Sequence, residues 1–136
     1  MRTYNLFISH SWSYRDAYDG LISLLRGKPY FRFKDYSVPK DDPIHNAPTV
    51  TQLREAIKNQ MQPCSVVLIM AGVYATYSKW IHEEIDLAKK GFTSPKSIIA
   101  IKPRGSERLS TVVQEAANKI VGWNTDSIVE AIRELG

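Results

Sequence analysis

Two adjacent acids, Glu83 and Glu84, stand in the segment Tyr77-Ser78-Lys79-Trp80-Ile81-His82-Glu83-Glu84-Ile85, and the chain opens with Tyr4-Asn5-Leu6-Phe7-Ile8-Ser9-His10-Ser11. The first segment reads as the start of a helix with acid near its N-terminal end. The second reads as a buried strand that breaks into polar residues. In a sheet covered by helices, strand C-termini and helix N-termini meet on one rim, and ligands bind there. The expectation is that Glu84 lies on that rim and faces the loop beginning at Ser9.

One carboxylate on such a rim suffices for one reaction in particular, scission of the bond between ribose and nicotinamide in NAD. The nicotinamide of NAD is already cationic and leaves as a neutral base without an acid. The transition state resembles an oxocarbenium ion, as in glycoside hydrolysis. A carboxylate that holds the ribose hydroxyls and faces the developing positive charge stabilises that state more than the ground state. Spacing alone favours a simpler reading, in which Glu83 and Glu84 are solvated acids placed early in a helix by its dipole. Phe7 and Trp80 are likewise explained as core residues first, and as rings stacked on a base or nicotinamide second. Asp35 ends a strand; it either starts a turn or contributes to the rim.

Other chemistries lack their residues. There is no GxxxxGK[ST] phosphate loop, no GxGxxG after the first strand and no GxSxG elbow. His10, His45 and His82 are too dispersed to propose a metal site, and no cofactor is expected beyond NAD as substrate. His10 stands out because it follows a strand end. Cys64 is the single cysteine, which excludes an intrachain disulfide and cysteine-built metal sites and reads as a small buried residue.

The elements that must position Glu84 follow from the remaining pattern. The 136 residues suit one domain, 1–136, with a sizeable core. The net charge of +4 comes from scattered basic residues that do not alternate with exposed aromatics, so nucleic acid is not an expected partner. No N-terminal signal is visible and no apolar run reaches the ~18 residues of a membrane span, so a cytoplasmic location without membrane contact is expected.

After the first strand, Ala17, Leu21, Leu24 and Leu25 predict a helix from about Tyr14 to Arg26, capped by Ser11 or Ser13 and ended by Gly27 and Pro29. Tyr30-Phe31-Arg32-Phe33-Lys34 alternates like an edge strand. The Pro-rich run from Asp35 to Pro48 reads as a long functional or mobile loop. Thr49 caps a helix with Val50, Leu53, Ile57 and Met61 on one face, stopped by Pro63. Ser65 to Met70 and Ser97 to Ile101 are uninterrupted apolar strands of the kind buried on both sides. Between them a helix runs from about Ser78 to Lys90, with Gly91 as its stop. A short helix around Leu109–Ala117, a weaker strand Lys119–Trp123 and a closing helix with Ile128, Ala131, Ile132 and Leu135 inward complete the chain. Five strands alternating with five helices call for a parallel sheet covered on both faces.

In these residues the chain resembles the TIR domain family, and most closely its bacterial TIR-like branch, which includes the TIR-like subunit of the Thoeris antiphage system. Phe7-Ile8-Ser9-His10-Ser11 is similar to the family's first box. Trp80 through Ile85 is similar to the third-helix motif of TIR enzymes, in which a Trp precedes the catalytic Glu by four residues; that register selects Glu84 over Glu83. The stretch Asp35–Pro48 takes the place of the BB loop, although Tyr36-Ser37-Val38-Pro39 lacks the Pro-Gly pair of signalling members. Gly122-Trp123 and the last helix match the end of the fold.

The resemblance implies a flavodoxin-like α/β three-layer sandwich with strand order 2-1-3-4-5. It also implies NAD consumption, giving nicotinamide and ADP-ribose or a cyclic isomer that signals to a separate effector. Glu84 becomes the catalytic candidate, and Phe7, Ser9, His10, Asp35, Tyr36 and Trp80 the substrate-binding ones. Self-association, or association with other TIR-like domains, is implied as well, because family members often complete the site with a second protomer's BB loop. The rival from another class is a non-catalytic interaction module on the same fold. A phosphoacceptor receiver needs an acidic cluster after the first strand and an aspartate after the third; Ser9 and Ala71-Gly72 stand there instead.

Overall fold

A computed structural model of the chain describes residues 2–9, 15–36, 50–72, 79–102 and 109–136, without the side chains of 15–17, 50, 53, 79 and 80. Its elements alternate as β1 (Thr3–Ile8), α1 (Arg15–Arg26), β2 (Arg32–Asp35), α2 (Val50–Met61), β3 (Val66–Met70), α3 (Lys79–Lys90), β4 (Ser97–Ile101), α4 (Thr111–Ala116), β5 (Lys119–Val121) and α5 (Thr125–Leu135). Every strand pair is parallel, and the order across the sheet is β2-β1-β3-β4-β5. This is the expected flavodoxin-like α/β sandwich.

The apolar runs explain which strands are central. β3 and β4 carry no alternation, and each is covered on both sides. Successive side chains of a strand point to opposite faces, so the sheet separates two cores. On one face Phe7, Val67, Ile69, Ile98 and Ala100 pack with Ile57 and Met61 of α2, Ile81, Leu87 and Ala88 of α3, and Val113 of α4. On the other face Leu6, Ile8, Leu68, Ile99 and Ile101 pack with Leu21 and Leu25 of α1 and with Ile128, Val129 and Ile132 of α5.

Two strands are shorter than their sequence suggests. β2 begins at Arg32, because Tyr30 holds φ 60, in the left-handed region where a strand cannot propagate. β5 stops at Val121, because the backbone turns at Gly122 to set Asn124 as the cap of α5, its side chain accepting from Ser127 N at 2.8 Å. α4 has a cap of the same kind, Ser110 accepting from Val113 N. Gly91 follows α3, where an added Cβ would sit 2.7 Å from the carbonyl oxygen of Leu87. The caps expected at Ser11, Ser13 and Thr49, and nearly all of the Asp35–Pro48 loop, lie outside the described residues. Among those described, no helix is long and apolar enough to cross a membrane.

Candidate functional site

α3 lays Ile81, Ile85 and Ala88 against the sheet at helical spacing, and Glu84 falls within that inward face. The result is a carboxyl group 1% exposed. A buried acid at a core position is the informative departure from the usual pattern. Opposite it, β1 ends at Ile8, and Ser9 follows in extended register, its N–H donating to the carbonyl of Leu68 on β3 at 2.9 Å. Ser9 is two residues beyond Phe7, so strand alternation turns its side chain to the same face of the sheet, the α3 face. There its hydroxyl, fully buried, donates to the Glu84 carboxyl.

Burial dominates the electrostatics of this pair. It pushes the Glu84 carboxyl up from 4.5 to about 8, and the hydrogen bond from Ser9 pulls the other way. Glu84 Oε2 has no hydrogen-bond partner among the described residues. A buried polar oxygen left unpaired is costly to the fold, and such groups cluster where ligands are handled. Ser9 donates to the carboxyl while Oε2 has no partner among the described residues, which equips the group to accept from a ligand hydroxyl or to face a positive charge.

Glu83, its neighbour, is turned outward. It accepts from Arg54 Nη1 of α2 at 2.5 Å, and the same nitrogen lies 3.0 Å from Asp86 Oδ2. Arg54 thus ties α2 to α3 on the outside of the helix that carries Glu84. No sequence motif marks Arg54, and the pairing exists only once α2 and α3 lie side by side.

The remaining candidates divide. Phe7 is 1% exposed and belongs to the core beneath Glu84, alongside Ile57 and Met61. Tyr36 donates its N–H to Leu6 O at 2.9 Å and packs against that same core. Asp35 is paired in register with Leu6, which faces α1 and α5. Its carboxylate accordingly accepts from the Tyr18 hydroxyl of α1, on the opposite side of the sheet from Glu84. The structure brings Phe7, Ser9, Tyr36 and Glu84 to one face and leaves Asp35 on the other. Tyr18 had no signal in the sequence. The backbone of Trp80 lies in α3, while its side chain and all of His10 lie outside the described residues.

Among the described residues no three His, Cys, Asp or Glu side chains gather as metal ligands would. Cys64 is buried in the α2–α3 core, and burial, ahead of smaller effects of Lys96 (downward) and Asp35 (upward), pushes its thiol up to about 12. No curated protein matches the chain. Residues 7–108, which run from the end of β1 through β4 and include both partners of the Ser9–Glu84 contact, match the family described as Thoeris protein ThsB, TIR-like domain. The chain therefore belongs to the Thoeris ThsB TIR-like domain family, a family of antiphage defence.

Proposed function

We propose that this chain cleaves the nicotinamide–ribose bond of NAD in antiphage defence. Nicotinamide leaves as a neutral base with the bonding electron pair. The anomeric carbon then takes oxygen from water, with loss of a proton, to give ADP-ribose, or bonds to another atom of the same molecule to give a cyclic isomer. The observation that carries this reading is Glu84: a buried carboxyl beside the end of β1 whose Oε2 has no hydrogen-bond partner among the described residues. Its raised proton affinity keeps it largely neutral at pH 7 in the absence of substrate. The cationic nicotinamide ring favours its ionised form, as any nearby positive charge does. The carboxylate then faces charge that grows at the ribose in the transition state, in a site where water screens little.

The test is to incubate the purified chain with NAD and follow nicotinamide by chromatography, for wild type, Glu84→Gln and Glu84→Ala. Protein concentration is varied, because the family's use of a second protomer leads us to expect little activity from a lone monomer. Cleavage that survives both substitutions unchanged removes Glu84 from the reaction. A second reading, a non-catalytic assembly module, is favoured by the 1% exposure of Glu84, since a carboxyl so covered must be uncovered before substrate reaches it. Under that reading no condition yields nicotinamide.

A further inference from the structure

We propose that Ser9 is a positioning residue: its hydroxyl holds one oxygen of Glu84 and leaves Oε2 as the oxygen offered to substrate. This rests on the reading of Glu84 as the acting carboxylate. Ser9 is itself held, because its N–H is bonded to Leu68 O on β3 at 2.9 Å and its side chain is fully buried. The hydroxyl is therefore fixed to the rigid sheet, whereas Glu84 ends a longer side chain on α3. This donor from the sheet sets the rotation of the carboxyl group. The division of labour between the two oxygens follows: one accepts from Ser9, and Oε2 has no partner among the described residues.

A serine hydroxyl donating to a carboxylate favours the ionised form. Ser9 thus opposes the effect of burial and keeps Glu84 within reach of ionisation near neutral pH. Among the described residues, the other titratable groups around it are engaged elsewhere or turned away. From α2, Arg54 is paired with Glu83 and Asp86. From α3 itself, Glu83 and Asp86 take that pairing and His82 is exposed. From the sheet side, Tyr36 packs on this core and Asp35 lies on the opposite face. Cys64 shares the core and remains a thiol, since burial pushes it up to about 12.

The experiment compares wild type with Ser9→Ala and Ser9→Cys, the latter keeping the side-chain shape at slightly greater volume while offering a weaker donor. In isotope-labelled protein the Glu84 side-chain carboxyl resonance is assigned by its loss in Glu84→Gln and titrated without substrate. Removal of the hydroxyl should raise the midpoint by about one pH unit or more in Ser9→Ala, with Ser9→Cys in between. Should Ser9→Ala fail to fold, Ser9→Cys against wild type decides the matter alone. In NAD cleavage, Ser9→Ala should lower kcat with KM little changed and move the acid limb of the pH profile upward. A midpoint that stays where it was overturns the proposal, as does a rise in KM alone, which would make Ser9 a direct substrate contact. If wild type cleaves no NAD the enzymatic reading falls, while the carboxyl titration still decides whether Ser9 tunes Glu84.

Discussion

Glu83 and Glu84 are neighbours in sequence and opposites in environment. Glu83 accepts from Arg54 at 2.5 Å on the outside of α3, while Glu84 is 1% exposed on the inside, with Ser9 as its donor. One step along a helix turns a side chain by about 100°, which is enough to exchange solvent for core.

That contrast sets the first expectation. Glu84→Gln should lower NAD cleavage by on the order of 100-fold, the scale of losing one preorganised electrostatic contact to a transition state. Glu83→Gln should leave it within a few-fold, since this side chain faces Arg54. Nicotinamide release under identical conditions compares the two, and a larger loss at Glu83 would reverse the assignment.

Stability should depend on pH through Glu84. Its carboxyl binds a proton more tightly folded, near pH 8, than unfolded, near 4.5. Between those values the native state holds a proton that the unfolded state has lost, so this contribution is complete below about 4.5 and is lost as pH rises through about 8. Denaturant melts at pH 5 and pH 8 should show a fall of roughly a few kcal/mol from this group. Glu84→Gln, which cannot titrate, should flatten that difference.

Phe7 lies in the packed core under the site, so it should behave as a core residue. Phe7→Ala should cost about 3–5 kcal/mol. Phe7→Leu, which keeps most of the volume, should cost about 1–2 kcal/mol and retain NAD cleavage. If Phe7→Leu folds normally yet abolishes cleavage, the ring is required as a stacking surface rather than as filling.

Arg54 is bonded to both Glu83 and Asp86, and all three side chains are partly exposed. Partly solvated ion pairs contribute little, so Arg54→Ala should cost about 1 kcal/mol or less. The difference from wild type should shrink in high salt. A salt-independent loss would mean that the Arg54 stem, rather than its charge, holds α2 on α3.

Cys64 should be inert while the chain is folded. Its thiol is buried and pushed up to about 12, so almost none is thiolate at pH 8. A thiol reagent should label it only as fast as the protein unfolds, and rapid labelling under native conditions would show that the α2–α3 core opens.

Much of this arrangement is legible in one dimension. The uninterrupted runs at Val66–Met70 and Ser97–Ile101 declare central parallel strands, because a strand covered on both faces has no polar side to alternate with. The spacing of Ile81, Ile85 and Ala88 declares the inner face of α3. Strand β2 begins two residues later than its alternation suggests, since nothing in its residue types announces that Tyr30 adopts a left-handed backbone.

The sequence by itself determined the order of elements and the parallel sheet, because these depend on periodicity and on residue types near one another in the chain. Only the tertiary structure decided that Glu84 is sealed against the sheet with Ser9 as donor, that Arg54 claims Glu83, and that Asp35 turns to Tyr18 on the far side. Those outcomes depend on which helix lies across which strand, and on the water removed where they meet; the proton affinity of a carboxyl group is set by that surrounding.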